Sequence, residues 1–193
     1  MNAEDNAAAW RAVIMHAEGT SKNTNPYNVM FGGGTFDNTK PGHPDTVVDG
    51  GRYASAAAGA YQFMPFTWAG LTKKLGLPPD APMTKENQDK AATYLANSRG
   101  VDIRTAPFTR ENVAKLAPEW ASFPTLSGSS YYGQPVKAYG TLKAIFNKYK
   151  PSSFVQQASD HLTKKYGVKP EPIVTPTITK TKPKHPLSIL GFK

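Results

Sequence analysis

The chain has no cysteine, which excludes disulfides, thiol catalysis and cysteine-bound metal in one step. It also lacks any apolar run of the about 18 residues that a membrane-spanning helix needs, so no membrane span is expected. Residues 1–9 include Glu4 and Asp5 but neither a basic segment nor an apolar stretch. No secretory signal is therefore expected, and a target outside the cytoplasm needs another means of delivery. The four histidines, His16, His43, His161 and His185, show no metal-ligand spacing, and no metal or cofactor is implied. Acids are scarce, 14 Asp and Glu against 23 Lys and Arg, giving a net charge of +9. Residues 164–193 hold seven Lys and one Glu, so most of that surplus belongs to the tail. Such a charge suits nucleic acid, anionic lipid or a bacterial wall, and equally a solvated surface. Neither aromatic interleaving nor a nucleic-acid motif accompanies these lysines, so no nucleic-acid partner is expected.

What is present is enough, at 193 residues, for one globular domain with a tail. Over residues 5–17, Trp10, Val13, Ile14 and Ala17 recur at the spacing of one apolar helix face. Pro65 suits a helical first turn, and Trp68, Leu71 and Leu75 follow at helical spacing. Thr84 is placed to cap a helix over 85–99, with Gln88, Ala91, Ala92, Leu95 and Arg99 on one side and Gly100 as its stop. A shorter helix is predicted over 109–116. From Pro135 onwards, Val136, Tyr139, Leu142, Phe146 and Tyr149 define another amphipathic helix, and 153–166 a last one. Trp68 and Trp120 read as core, and Gln88 and Asp89 as braces of helices. His43-Pro44-Asp45 and Asp49-Gly50-Gly51 are turn signals. The expected division is a domain over 1–150, an additional helix over 151–166, and a Pro/Thr/Lys-rich extension over 167–193 that cannot form a packed core.

Glu18 stands at the end of the first helix, four residues after Ile14 and just before Gly19, a residue that commonly stops helices. The following segment has no helical period and carries Gly32, Gly33 and Gly34 beside Tyr27, Phe31 and Phe36. A half-buried acid followed by a Gly- and aromatic-bearing hairpin or loop makes one wall of a cleft. Partial burial raises a carboxyl pKa, so the group can donate a proton near neutral pH. The loop 126–134, polar and bearing Tyr131 and Tyr132, suits sugar stacking.

Six blocks in one order carry a resemblance: Ala17-Glu18-Gly19-Thr20; Tyr27-Asn28-Val29 with Phe31-Gly32-Gly33; Phe36 then His43-Pro44; Ala58-Gly59-Ala60-Tyr61-Gln62 with Trp68; Gln88-Asp89; and Trp120-Ala121-Ser122-Phe123-Pro124 followed by Tyr132-Gly133-Gln134. Over roughly residues 8–150 the chain resembles the phage lambda lysozyme family. It departs from that pattern at Ala60, where the family carries Arg, in a longer loop between Pro124 and Tyr132, and after Pro151.

The resemblance implies an α+β, mainly α, lysozyme-like fold with a small β-hairpin or Gly-rich lobe after the first helix and an extended C-terminal tail. It implies an endolysin-type lytic transglycosylase that cleaves peptidoglycan between N-acetylmuramic acid and N-acetylglucosamine, leaving 1,6-anhydro-muramic ends. Glu18 takes the place of the family's catalytic acid. Gln62 is expected to hydrogen-bond an acetamido or ring substituent, and Tyr61 to orient Glu18 or stack on a sugar. Tyr27 and Phe31 are further expected substrate contacts, and Tyr132 and Gln134 form the opposite lip. The partner is the peptidoglycan glycan strand, with virion or tail proteins as further partners through the tail. The implied location is the host cytoplasm before holin-dependent release to the wall, or the virion. A hydrolytic muramidase and a non-catalytic virion or peptidoglycan-binding module are the alternatives.

Overall fold

The computed structural model describes residues 3–51 and 54–149. The helix expected over 151–166 and the extension over 167–193 lie outside the described residues. The order is α1 (Ala3–Ala17), three short 3-10 turns (Thr20–Lys22, Pro26–Asn28, Phe31–Gly33), β1 (Val48–Asp49), β2 (Ala54–Ser55), α2 (Pro65–Lys74), α3 (Lys85–Ser98), α4 (Arg110–Leu116) and α5 (Tyr139–Tyr149). It is a mainly helical, lysozyme-like fold with one small antiparallel sheet in the expected lobe after the first helix.

Helix α1 is the axis of the core. Its apolar stripe places Trp10, Val13 and Ile14 entirely inside. Trp10 meets Phe108 and Phe146 at ring separations of 4.7 and 5.7 Å, and Phe146 brings α5 against α1. One polar residue on the buried face, Asn6, is satisfied by the carbonyls of Ile103 and Ala106 at 2.8 and 2.9 Å, as burial of an amide requires. The helix starts behave as their residues dictate. Pro65 occupies the first turn of α2, and Thr84 and Thr109 accept from the amides of Asn87 and Asn112 to cap α3 and α4. Gly100, at φ +73°, follows the end of α3.

The expectation for α5 needs correction. The helix begins at Tyr139, not near Pro135: the Ala138 carbonyl receives the first helical bonds, from the amides of Thr141 and Leu142 at 3.0 and 3.2 Å, while the chain before it is tied to the Trp120–Phe123 segment by the Lys137 amide, bonded to the Ser122 carbonyl at 2.9 Å. Val136 therefore lies before the helix. Tyr149 is half exposed, so Leu142 and Phe146 carry the buried face.

The loops between α1 and α2 form a small lobe by short backbone bridges: Val29 to Thr35, Met30 to Ala58, and Ala58 to Phe63. The last closes a tight turn over 58–63 in which Gly59 has φ +82° and Gln62 φ +52°. Gly59 is required twice over: its φ is left-handed, and a Cβ there collides with the Gln88 side-chain amide. Buried Gln88 accepts from the amide of Ala60 at 2.8 Å and donates to the carbonyls of Tyr27, at 2.8 Å, and Met83. It thus fastens both lobe loops to α3. His43 braces the same turn. The Asp45 amide donates to its Nδ1, which fixes the proton on Nε2, and Nε2 donates to the Phe63 carbonyl at 2.9 Å.

Candidate active site

Glu18 still belongs to the last turn of α1, its amide bonded to the Ile14 carbonyl at 2.9 Å. Gly19, at φ +79°, then turns the chain away. The next residue ties this corner to the lobe: the buried Thr20 hydroxyl lies 2.7 Å from the Ala60 carbonyl and 3.2 Å from that of Met15. The corner is thereby anchored to the 58–63 turn that carries Tyr61 and Gln62. The Trp120 indole, donating to the Tyr61 carbonyl at 3.3 Å, brings in the segment that carries Ser122.

The carboxyl group lies between these anchors. Its Oε1 is buried and has no hydrogen-bond partner among the described residues. Burial raises the Glu18 pKa from its ordinary 4.5 to about 7, against three opposing influences that favour the carboxylate: the Ser122 hydroxyl, the Lys137 ammonium and the Ser122 backbone N–H. Among the described residues no carboxylate contributes to this shift. Asp37, the next acid in the chain, is instead held below its ordinary value by the Thr39 hydroxyl and amide at the surface. Glu18 therefore populates both protonation states near neutral pH, as a group that donates and then accepts a proton must.

The other expected site residues divide. The Gln62 Nε2 is engaged with the carbonyls of Gly59 and Val29 at 3.0 and 3.3 Å, which supports its left-handed backbone. Phe31 is partly exposed, its amide bonded to the Ala57 carbonyl at 2.8 Å. Tyr132 and Gln134 are exposed on the segment closed by the Pro124 to Ser130 bridge. Tyr132 donates its hydroxyl to the Pro118 carbonyl at 2.8 Å and packs edge-on to Tyr131. Tyr61 departs from the expectation of a sugar-stacking ring. It is 1% exposed, with its hydroxyl 2.5 Å from Asp89 Oδ1. Tyr27 donates to the same oxygen at 2.9 Å, while Lys85 reaches Oδ2 at 2.6 Å. Tyr61 is a core residue because a ring placed after the Gly59 turn points inward, and its hydroxyl then requires an internal acceptor.

A concavity of about 640 Å³ lies between α1 and α3, lined in part by Arg11, Lys85, Asp89 and Tyr94. Glu18 is not among its lining residues, and its charges are paired with one another: Arg11 with Glu4, Lys85 with Asp89, Lys90 with Glu86. Volume therefore does not single out a candidate centre here, whereas the perturbed carboxyl with its unpartnered Oε1 does.

A helical domain with a small β-lobe and a half-buried acid at the end of its first helix is a lysozyme-like protein. The chain belongs to the endolysin family, whose profile matches residues 8–151. Among solved structures it is similar to bacteriophage lambda lysozyme complexed with a chitohexasaccharide, at 25% identity and a TM-score of 0.65 over 75% of this chain and 94% of that one. A second structure of lysozyme from bacteriophage lambda aligns at 22% identity and a TM-score of 0.61, covering 77% and 94% of the two chains. A comparison with curated proteins finds no match. Family and fold together support a glycosidic-bond-cleaving enzyme acting on peptidoglycan in phage lysis.

Ser122 and Lys137 are the neighbours acting on Glu18 that sequence reasoning missed. Ser122 lies within a resembling block but shows no chemical signal of its own, and Lys137 falls in the stretch read as the start of α5.

Proposed function

We propose that the protein cleaves the β-1,4 bond between N-acetylmuramic acid and N-acetylglucosamine by intramolecular transglycosylation, with Glu18 as the one acid and base. The observation that carries this reading is the buried Glu18 Oε1, without a partner among the described residues, on a carboxyl whose pKa is about 7 with no carboxylate of the described residues contributing to it. Protonated Glu18 donates to the glycosidic oxygen, and the C1–O bond breaks with its electron pair on that oxygen. The resulting Glu18 carboxylate takes the proton of the muramic C6 hydroxyl as O6 bonds to C1. The 1,6-anhydro ring closes and the acid is regenerated without water. Hydrolysis by a pair of carboxylates requires a second acid at a defined separation from the first, and the charged group acting on Glu18 here is Lys137.

Ser122 and Lys137 stabilise the carboxylate that exists between the two proton transfers. The Gln62 side-chain carbonyl, with its nitrogen already engaged, is the end of that residue free to accept from a substrate acetamido N–H. Phe31, Tyr27, Tyr132 and Gln134 contribute the remaining sugar contacts. Synthesis in the host cytoplasm followed by holin-dependent access to the wall fits the endolysin family, and among the described residues no helix is long and apolar enough to cross a membrane. Turbidity loss of purified peptidoglycan tests the role of Glu18. The wild-type protein is expected to clear the suspension and the Glu18→Gln protein to leave it intact, whereas equal clearing refutes the assignment.

A further inference from the structure

Two exposed lysines flank the corner that holds Glu18. Lys22 ends the 3-10 turn Thr20–Lys22, which is folded back on the last turn of α1 by the Gly19 amide, bonded to the His16 carbonyl at 3.2 Å, and by the Thr20 hydroxyl near the Met15 carbonyl. Lys137 is set on the other side by the bond of its amide to Ser122. His16, on the last turn of α1 that leads into the acid, is held below its ordinary pKa of 6.5 by burial and then by the ammonium groups of Lys137 and Lys22. Both lysines are thus close to one imidazole, and neither has an ion-pair partner among the described residues, in contrast to Lys85 and Lys90 on α3. Like charges gathered around a reactive group without counterions favour an anionic ligand.

Resting on the peptidoglycan reading above, we propose that Lys22 and Lys137 form a carboxylate-recognising rim beside Glu18 that selects muramyl-bearing glycan over neutral glycan. The ligand chemistry is a carboxylate attached to the muramic residue. It has two sources: the lactyl group of a strand stripped of peptide, and the acidic residues of the stem peptide of an intact strand. Lys137 then has two functions, stabilising the Glu18 carboxylate and contacting the substrate, whereas Lys22 has only the second. Lys22 is therefore the cleaner probe.

The test uses the full chain carrying Glu18→Gln, so that ligands persist. Its binding to three probes of equal length is measured by calorimetry: chitohexaose, a peptide-free alternating N-acetylglucosamine and N-acetylmuramic acid hexasaccharide, and the same strand with stem peptides. The muramyl strands are expected to bind more tightly than chitohexaose, with an advantage that shrinks as ionic strength rises from roughly 0.05 to 0.5 M. Adding Lys22→Gln is expected to weaken muramyl binding about three-fold, the scale of one exposed ion pair, and Lys22→Glu to weaken it further, with chitohexaose binding unchanged. Loss on the peptide-free strand assigns the lactyl carboxylate, and loss confined to the peptide-bearing strand assigns the stem acids. If Lys22→Gln weakens all three probes alike, or lowers stability with no effect on binding, Lys22 serves only the α1 terminus and the proposal is overturned. Failure of the Glu18→Gln protein to bind any glycan refutes the glycan-site reading itself, whereas equal, salt-insensitive binding of neutral and muramyl strands refutes the rim alone.

Discussion

Replacement of Glu18 by Gln should stabilise the protein while abolishing turnover, and the stabilisation should depend on pH in a calculable way. The folded carboxyl has a pKa of about 7 against an ordinary 4.5, with burial as the main cause. Below pH 4.5 both the folded and unfolded chains hold the proton, and the group is neutral in each. As pH rises from 4.5 towards 7 the unfolded chain releases the proton and the folded chain retains it, so stability falls with rising pH until the folded group also ionises. The shift corresponds to roughly 3 kcal/mol of stability lost on the alkaline side. A neutral amide removes that pH-dependent loss. Denaturant unfolding of both proteins at pH 4, 6 and 8 should show little gain for Glu18→Gln at the lowest pH, growing to about 3 kcal/mol at the highest. A gain that is absent, or the same at all three pH values, refutes the claim that burial has raised this carboxyl.

Other outcomes follow from the same contacts. Because Ser122 favours the ionised form of Glu18, Ser122→Ala should raise the Glu18 pKa further and move the alkaline fall of cell-wall clearing, placed near pH 7 in the wild type, to higher pH; a rate–pH profile checks this. Gln88→Leu leaves the Ala60 amide and the Tyr27 and Met83 carbonyls without their partners and should cost about 3 kcal/mol in chemical unfolding. Tyr61→Phe removes the half-buried bond to Asp89 and should cost about 2 kcal/mol, with the rate per folded molecule largely retained, as expected of a ring inside the core.

The parts of this fold legible in the sequence are those governed by local rules. The α1 stripe, the caps at Thr84 and Thr109, the Pro65 start, and the stops at Gly19 and Gly100 all follow from spacing and residue type within one element. The burial of Trp68 and Trp120 was legible for the same reason. What was not legible depends on residues distant in the chain. The stretch before α5 is tied to a distant segment by a bond from Lys137 to Ser122, which no periodicity over 135–149 reveals. Tyr61 carries a polar group and follows a glycine turn, so it reads as a surface contact until Asp89, 28 residues later, is seen to take its hydroxyl. Glu18 was identifiable by resemblance and by its place at a helix end, but its partnerless oxygen and the Ser122 and Lys137 influences arise only when the chain closes on itself.

The central claim, that one acid acts twice and no water enters, is tested most directly by digesting purified peptidoglycan in water enriched in oxygen-18 and weighing the released muropeptides. The account predicts muramic ends lighter by one water than the reducing sugar and carrying none of the heavy isotope. Reducing ends labelled with oxygen-18 would contradict it.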